Sequence, residues 1–191
     1  MTRSYVKSKR ADNQAETRQR IVEAAVDLHG EIGPTATTIS MIAERAGVQR
    51  HTVYAHFADD KSLFMACSGH HVGLHPLPSP EQWADVTDPA QRLTAGLGAL
   101  YAWFAENEAM TRNVLRDAEA NDALREVSSL RFDAPLRAIH DSLSGGLGAK
   151  SKAALTLAMS FYTWRSLTHD ARLKPKDAVA LMVDTVLGAR R

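Results

Sequence analysis

The stretch from Thr37 to Phe57, TTISMIAERAGVQRHTVYAHF, constrains this chain more than any other. It reads as two short helices joined by a tight turn. Thr38 suits the N-cap of the first, because its hydroxyl accepts an otherwise orphaned backbone N–H at the helix start. Ile39, Ile42, Ala43 and Ala46 follow at helical spacing on one face. Gly47 stands where the chain must reverse, and glycine takes a positive φ there without steric cost. A second helix runs from about Gln49, with Val48 and Val53 facing the core and Ala43 small where the two helices cross. Its outward positions are Gln49, Arg50, His51, Thr52, Tyr54 and His56. That is a row of hydrogen-bond donors, one fixed charge and one aromatic hydroxyl, on a helix short enough to lie in a DNA major groove. A solvated face on an ordinary helical hairpin would carry a similar polar row. The small Ala, the turn Gly and the buried Val at helix-turn-helix offsets favour the nucleic-acid reading.

The surrounding residues extend the pattern. Thr17-Arg18-Gln19-Arg20-Ile21 leads to Ala24-Ala25, Leu28 and Gly33. Then come Thr37-Thr38-Ile39, Ile42-Ala43, Ala46-Gly47-Val48, Thr52-Val53-Tyr54 and His56-Phe57. Over roughly residues 14–64 this resembles the tetracycline-repressor-like (TetR) family of transcriptional regulators. Many residue types at fixed spacing carry the resemblance, whereas beyond about residue 75 it is one of layout only. It implies a dimeric, all-helical, ligand-responsive DNA binder, usually a repressor. The expected DNA-contacting set is the outward row of the second helix together with Thr38, Ser40 and Lys61. Ser40, Thr52, Tyr54 and His56 sit near helix ends, where such donors more often touch phosphate than bases. Two departures stand out. The family often caps the recognition helix with Ser, where this chain has Gln49, a poorer cap. The family also commonly places Lys three residues after the Phe; here Asp60 holds that position and Lys61 follows it. Asp60 favours the helix dipole but repels phosphate, which leaves open whether Lys61 takes over the contact.

The length of 191 residues suits one or two modest domains with a real core. A net charge of +1 says little, but its distribution says more: Arg3, Lys7, Lys9 and Arg10 all precede the first acid, Asp12. Residues 1–12 therefore read as a basic flexible arm, either a solubilising tail or a reach toward a neighbouring groove. The single cysteine, Cys67, allows no intrachain disulfide, which fits a reducing cytoplasm. No apolar run approaches the roughly 20 residues of a membrane span. No apolar segment follows the basic N-terminus as a secretory signal would require.

The first helix is expected over Asn13–Gly30, with Ile21, Ala24, Ala25, Leu28 and Ile32 as its apolar stripe, broken at Gly33-Pro34. Asp59 caps the next helix, which ends near Gly73. Residues 73–87 form a proline-punctuated loop in which Trp83 packs on the body. Asp88-Pro89 starts a helix carrying Leu93, Leu97, Leu100, Tyr101 and Phe104, while Trp103 points away from that stripe. Helices follow over about 109–118 and 121–143, the second kinked or split by Pro135. The last two span about 151–169 and 175–187, both with broad apolar surface. That surface either completes a monomer core or pairs with its copy.

Other chemistry is weaker. Cys67, His70, His71 and His75 have ligand types suited to zinc, but no second cluster completes a site, and no metal is expected. The segment GGLGAKS at 145–151 fails as a phosphate loop. No arrangement carries a signature of nucleophilic catalysis, and His140 beside Asp141 is not a dyad.

The expectation is thus an all-α chain: a three-helix helix-turn-helix DNA-binding domain over 13–58, then a helical-bundle regulatory and dimerisation domain over 59–191. It is expected to be cytoplasmic, not an enzyme, and without a cofactor. Its partners are a double-stranded DNA operator, a second copy of itself and an apolar or aromatic small-molecule effector. A dimer implies a pseudo-palindromic operator. The effector pocket is expected among Tyr101, Phe104, His140, Phe161 and Trp164, and the dimer seam at Leu157, Trp164, Met182 and Val186. Rival readings are a helical-bundle small-molecule-binding protein or enzyme without specific DNA binding, and a non-specific architectural DNA binder.

Overall fold

The computed structural model describes residues 2–189, with side chains from residue 11 onward. Among these residues the structure is all-helical. The α-helices are α1 (Thr2–Glu31), α2 (Ile39–Ala46), α3 (Arg50–His56), α4 (Asp60–Leu74), α5 (Pro89–Glu106), α6 (Glu108–Ala118), α7 (Asp122–Leu143), α8 (Ala149–Ala158), α9 (Phe161–Arg165) and α10 (Pro175–Gly188). The chain divides into two compact units, residues 1–74 with 112–131 and residues 75–111 with 132–191. The helix-turn-helix therefore shares a unit with α4 and with residues 112–131, instead of being set off at residue 58.

In the first unit, α1 begins at Thr2, so residues 2–12 continue a helix that the sequence places from Asn13 onward. Nothing in this stretch breaks helical geometry, and charge alone does not prevent it. The side chains of Arg3, Lys7, Lys9 and Arg10, on which the arm reading rests, lie outside the described residues. Ile21, Val22, Ala24, Ala25 and Leu28 of α1 bury against Ile42, Ala43 and Ala46 of α2, Val53 of α3, and Leu63 and Cys67 of α4. Ile32 falls past the helix end and is exposed, so it is not part of the stripe. The thiol of Cys67 is buried and donates to the Val22 carbonyl at 3.9 Å. Burial pushes its pKa up to about 12.

The turn after α1 is fastened from α6, through polar residues that sequence reasoning passed over. Asn113 Nδ2 donates to the last-turn carbonyls of His29 (3.0 Å) and Gly30 (2.9 Å), the first of which also accepts the Gly33 N–H. Asp117 accepts the Thr35 backbone N–H at 2.8 Å, and Arg116 Nε donates to Asp117 at 2.7 Å. Gly33 sits at φ +97°, directly under Arg116 and Asp117.

In the second unit α10 packs on α5 and α8. Its core includes Leu93, Leu97, Leu100, Ile139, Leu143, Leu155, Val183 and Val186. A 3-10 turn at Pro80–Trp83 interrupts the loop before α5, and Trp83 is buried with its indole N–H on Ser142 Oγ at 2.9 Å. Pro135 does not split α7, which runs unbroken from Asp122 to Leu143. The single helix expected over 151–169 is broken instead. The Tyr101 hydroxyl donates to the Ala158 carbonyl at 2.8 Å, the carbonyl a continuing helix would have used. The chain turns at Ser160, restarts as α9 and widens into a π-helical turn at Ser166–Asp170. Arg172 then takes a positive φ of 57° before α10 begins. Among the described residues no helix is long and apolar enough to cross a membrane.

Candidate nucleic-acid interface and cavity

The helix-turn-helix is built from local chemistry. Thr38 Oγ1 accepts the Met41 N–H at 3.3 Å and so caps α2. Gly47 adopts φ 65°, ψ 39°, which lets Val48 N–H return to the Ala43 carbonyl at 2.9 Å. Arg20 of α1 donates to the Ala46 carbonyl at 3.0 Å, satisfying another open end of α2. Val53 is wholly buried and fixes the rotation of α3. The opposite face of α3 is therefore forced into solvent. Gln49, Arg50, His51 and Tyr54 are exposed, and Thr52 and His56 are half-buried at its edges. Gln49 makes no side-chain capping bond. Thr38 and Ser40 are exposed at the start of α2. Phe57 closes the unit under the Arg18 guanidinium, 4.9 Å from its ring centroid.

Lys61 is also exposed, but it is engaged: its ammonium lies 2.6 Å from Glu126. Arg45 likewise faces Glu31 in a two-pronged pair at 2.9 Å. Both pairs are solvent-exposed and contribute little to stability. Either cation can leave its carboxylate for a phosphate at small cost.

A cavity of about 540 Å³ opens in the second unit. Tyr101, Trp164 and Val179 form its apolar wall, and Gly98, Ala102 and Ala105 of α5 leave it room. Glu108, Thr168, His169 and Lys176 supply its polar groups. Glu108 Oε2 meets His169 Nε2 at 3.3 Å, and its Oε1 lies 3.9 Å from Arg165 Nε. The His169 ring stands edge-on to Trp164, centroids 5.7 Å apart. Thr168 and His169 belong to the π-helical turn, a device that recurs at functional positions because it re-aims side chains.

Of the five residues expected to line a pocket, Tyr101 and Trp164 do so. Phe104 and Phe161 do not. They stack behind Trp164, with centroids 5.8 Å and 5.4 Å from it, and support the wall. His140 faces Thr156 and the Lys152 carbonyl, away from the cavity lining. Trp103, expected to point outward, is buried and donates to the His75 carbonyl at 3.0 Å. The seam residues also need correction. Trp164, Met182 and Val186 are buried within their own chain, Val186 at 0% exposure, so they offer no surface to a copy. Leu157 is 57% exposed and remains available. The cavity residues that sequence reasoning missed, Glu108, Thr168, His169 and Lys176, lie at helix ends and carried no periodic signal.

Among the described residues no group of three or more His, Cys, Asp or Glu is arranged to hold a metal ion. The family model for bacterial regulatory proteins of the tetR family matches residues 21–67, the stretch that builds this head. Residues 21–67 thus form a TetR-family helix-turn-helix head. The chain is 43% identical over 49 residues to the HTH-type transcriptional regulator AcrR of Shigella flexneri, a match covering 26% of this chain and 23% of that relative. The chain thus spans about a quarter of that relative's length, and the likeness does not extend over the whole of either chain. The fold reaches further. A HlyIIR mutant protein superposes with a TM-score of 0.66 at 18% identity, covering 90% of this chain and 97% of that one. The transcriptional regulator FadR from Bacillus subtilis, solved in complex with stearoyl-CoA, gives 0.63 at 16% identity, covering 91% and 99%. At such identities the likeness is one of fold alone.

Proposed function

We propose that this chain is a cytoplasmic DNA-binding transcriptional regulator. It acts as a homodimer on a pseudo-palindromic operator, represses from it, and lets go when a small molecule fills the cavity. The observation that carries this reading is the exposed face of α3, held outward by buried Val53 in a head of the matching family. In this reading α3 enters the major groove. Arg50 grips guanine O6 and N7, with Gln49 and His51 beside it. Thr38, Ser40, Thr52, Tyr54 and His56 hold phosphates and set the register. Lys61 adds a phosphate contact by exchanging Glu126 for the backbone, and the basic residues at 3–10 extend the electrostatic footprint.

The dimer seam is assigned to the outer faces of α8 and α10, where Leu157 is 57% and Leu181 is 44% exposed, with exposed Tyr162 nearby. The cavity is assigned to the effector. Its volume falls in the range of about 300–1,000 Å³ typical of small-molecule sites. FadR, a protein of the same fold, is known with stearoyl-CoA, which supports an effector with an apolar part here as well. An effector shifts operator binding only by its differential affinity for the bound and free states. The test is selection of bound fragments from random DNA by the full-length protein. Recovery of a two-fold related motif, half-sites one helical turn or a multiple apart, is the expected result. Recovery of unrelated fragments with no common motif would overturn specific operator recognition.

A further inference from the structure

The charges around the cavity select among effectors. Glu108 is the one acid in the lining, and it is already faced by His169 at 3.3 Å and by Arg165 at 3.9 Å. Its charge is therefore answered from within the protein. Lys176 also lines the cavity, and among the described residues nothing pairs with its ammonium. It stands in the first turn of α10, just after Pro175, and the N-cap residue Lys174 makes no side-chain capping bond. Asp177 in the same turn answers the partial positive charge of that helix end, which leaves Lys176 as the cation the cavity offers. An amine entering here would meet the Lys176 ammonium. An anion would find that group complementary.

The remaining surface fixes the other end of the ligand. Tyr101 spends its hydroxyl on the Ala158 carbonyl, so it presents ring, not polar group, to the space. Trp164, 3% exposed, presents a large planar wall beside it. Thr94 and Thr168 donate their hydroxyl protons to the Ala90 and Trp164 carbonyls, at 2.8 Å each. They can only accept from a ligand.

We propose that the cavity binds a small aromatic carboxylate, its ring against Trp164 and Tyr101 and its carboxylate on Lys176. This rests on the cavity being the effector site, and the experiment separates the two ideas. The full-length protein is titrated, by calorimetry and tryptophan fluorescence, with naphthalene-2-carboxylate, its neutral carboxamide and the corresponding methylammonium. The carboxylate should bind at least about tenfold more tightly than the amide, and the ammonium most weakly, on the usual scale of a charge-assisted hydrogen bond. Lys176→Gln should remove most of the carboxylate's advantage while leaving operator binding without ligand unchanged. Ala105→Phe should fill the cavity and abolish binding of the carboxylate and the amide alike. Equal binding of carboxylate and amide, or preference for the ammonium, with Ala105→Phe still blocking both, would overturn the anion assignment and leave the cavity standing as the site. Carboxylate binding that survives Ala105→Phe would overturn the cavity itself. Absence of binding by all three probes at millimolar concentration would overturn the aromatic-carboxylate assignment.

Discussion

Acid should loosen the DNA-binding unit well before it protonates most carboxylates, and His29 is the reason. Its ring is 5% exposed and lies edge-on to Phe64, centroids 5.8 Å apart. Burial lowers its pKa from 6.5 to about 4, with the negative charge of Asp117 pulling partly the other way. Above pH 6.5 the ring is neutral in both folded and unfolded chains and no linkage arises. Between 6.5 and about 4 the unfolded chain takes up a proton that the folded chain refuses, so stability falls as pH falls. At about 1.4 kcal/mol per pH unit, the whole interval corresponds to about 3 kcal/mol. That is a large part of a typical domain stability of about 5–15 kcal/mol. Asp117 continues the trend at lower pH. Burial pushes its carboxyl up, but the bonds from Arg116 and Thr35 outweigh this and hold it below the usual range. Its stabilisation is present above the ordinary carboxylate range and is lost as pH falls through its folded value. The perturbation is His29→Phe, which keeps an aromatic ring against Phe64 and removes the titration. The assay is urea unfolding followed by far-UV circular dichroism between pH 7.5 and 4.5. All three tryptophans, Trp83, Trp103 and Trp164, lie in the other unit, so their fluorescence reports that unit in the same samples. The wild-type curve should lose about 2–3 kcal/mol on acidification, and the variant much less. Equal losses in the two proteins would refute the assignment of the acid sensitivity to His29.

Arg50→Ala should cost about 1–3 kcal/mol on the selected operator and relax preference at one base pair, as read by repeating the fragment selection with the variant. Gly33→Ala should destabilise by about 1–3 kcal/mol in urea unfolding, because a Cβ there lies 2.2 Å from Arg116 Nη2 and the residue sits at φ +97°. Two charges near the C-terminus should behave in opposite ways. Leu157→Asp should give folded monomers by sedimentation, whereas Val186→Asp, placing a carboxylate at a fully buried position, should give insoluble or unfolded protein.

The contrast between Leu157 and Val186 shows where sequence reasoning reached its limit. A broad apolar stripe says that a helix is buried, not what buries it. Val186 and Met182 fit a seam between copies and a core within one chain equally well, and only packing decides. The head was legible because its rules are local. Thr38 caps three residues ahead, Gly47 turns at its own φ, and Val53 needs only helical spacing from the polar row it opposes. The break after Ala158 was not legible, since it depends on a Tyr101 hydroxyl 57 positions away in the chain. The same non-locality hid the cavity's polar groups. Glu108 and His169 meet only because α9 ends in a π-helical turn, and no residue type announces that turn. Asn113 and Asp117 were missed for another reason: on a short polar helix, residues bound for the interior resemble those bound for solvent.

The burial of Cys67 gives the molecule a built-in clock. The thiol is the chain's only one, 3% exposed and bonded to the Val22 carbonyl, so a reagent reaches it only when α4 parts from α1. Its labelling rate, divided by that of a free thiol, is then the fraction of time the DNA-binding unit spends open. Because no second cysteine competes, that fraction can be followed in a crude mixture, with operator added or withheld. Tightening of the head by DNA would be timed by an atom that touches no DNA at all.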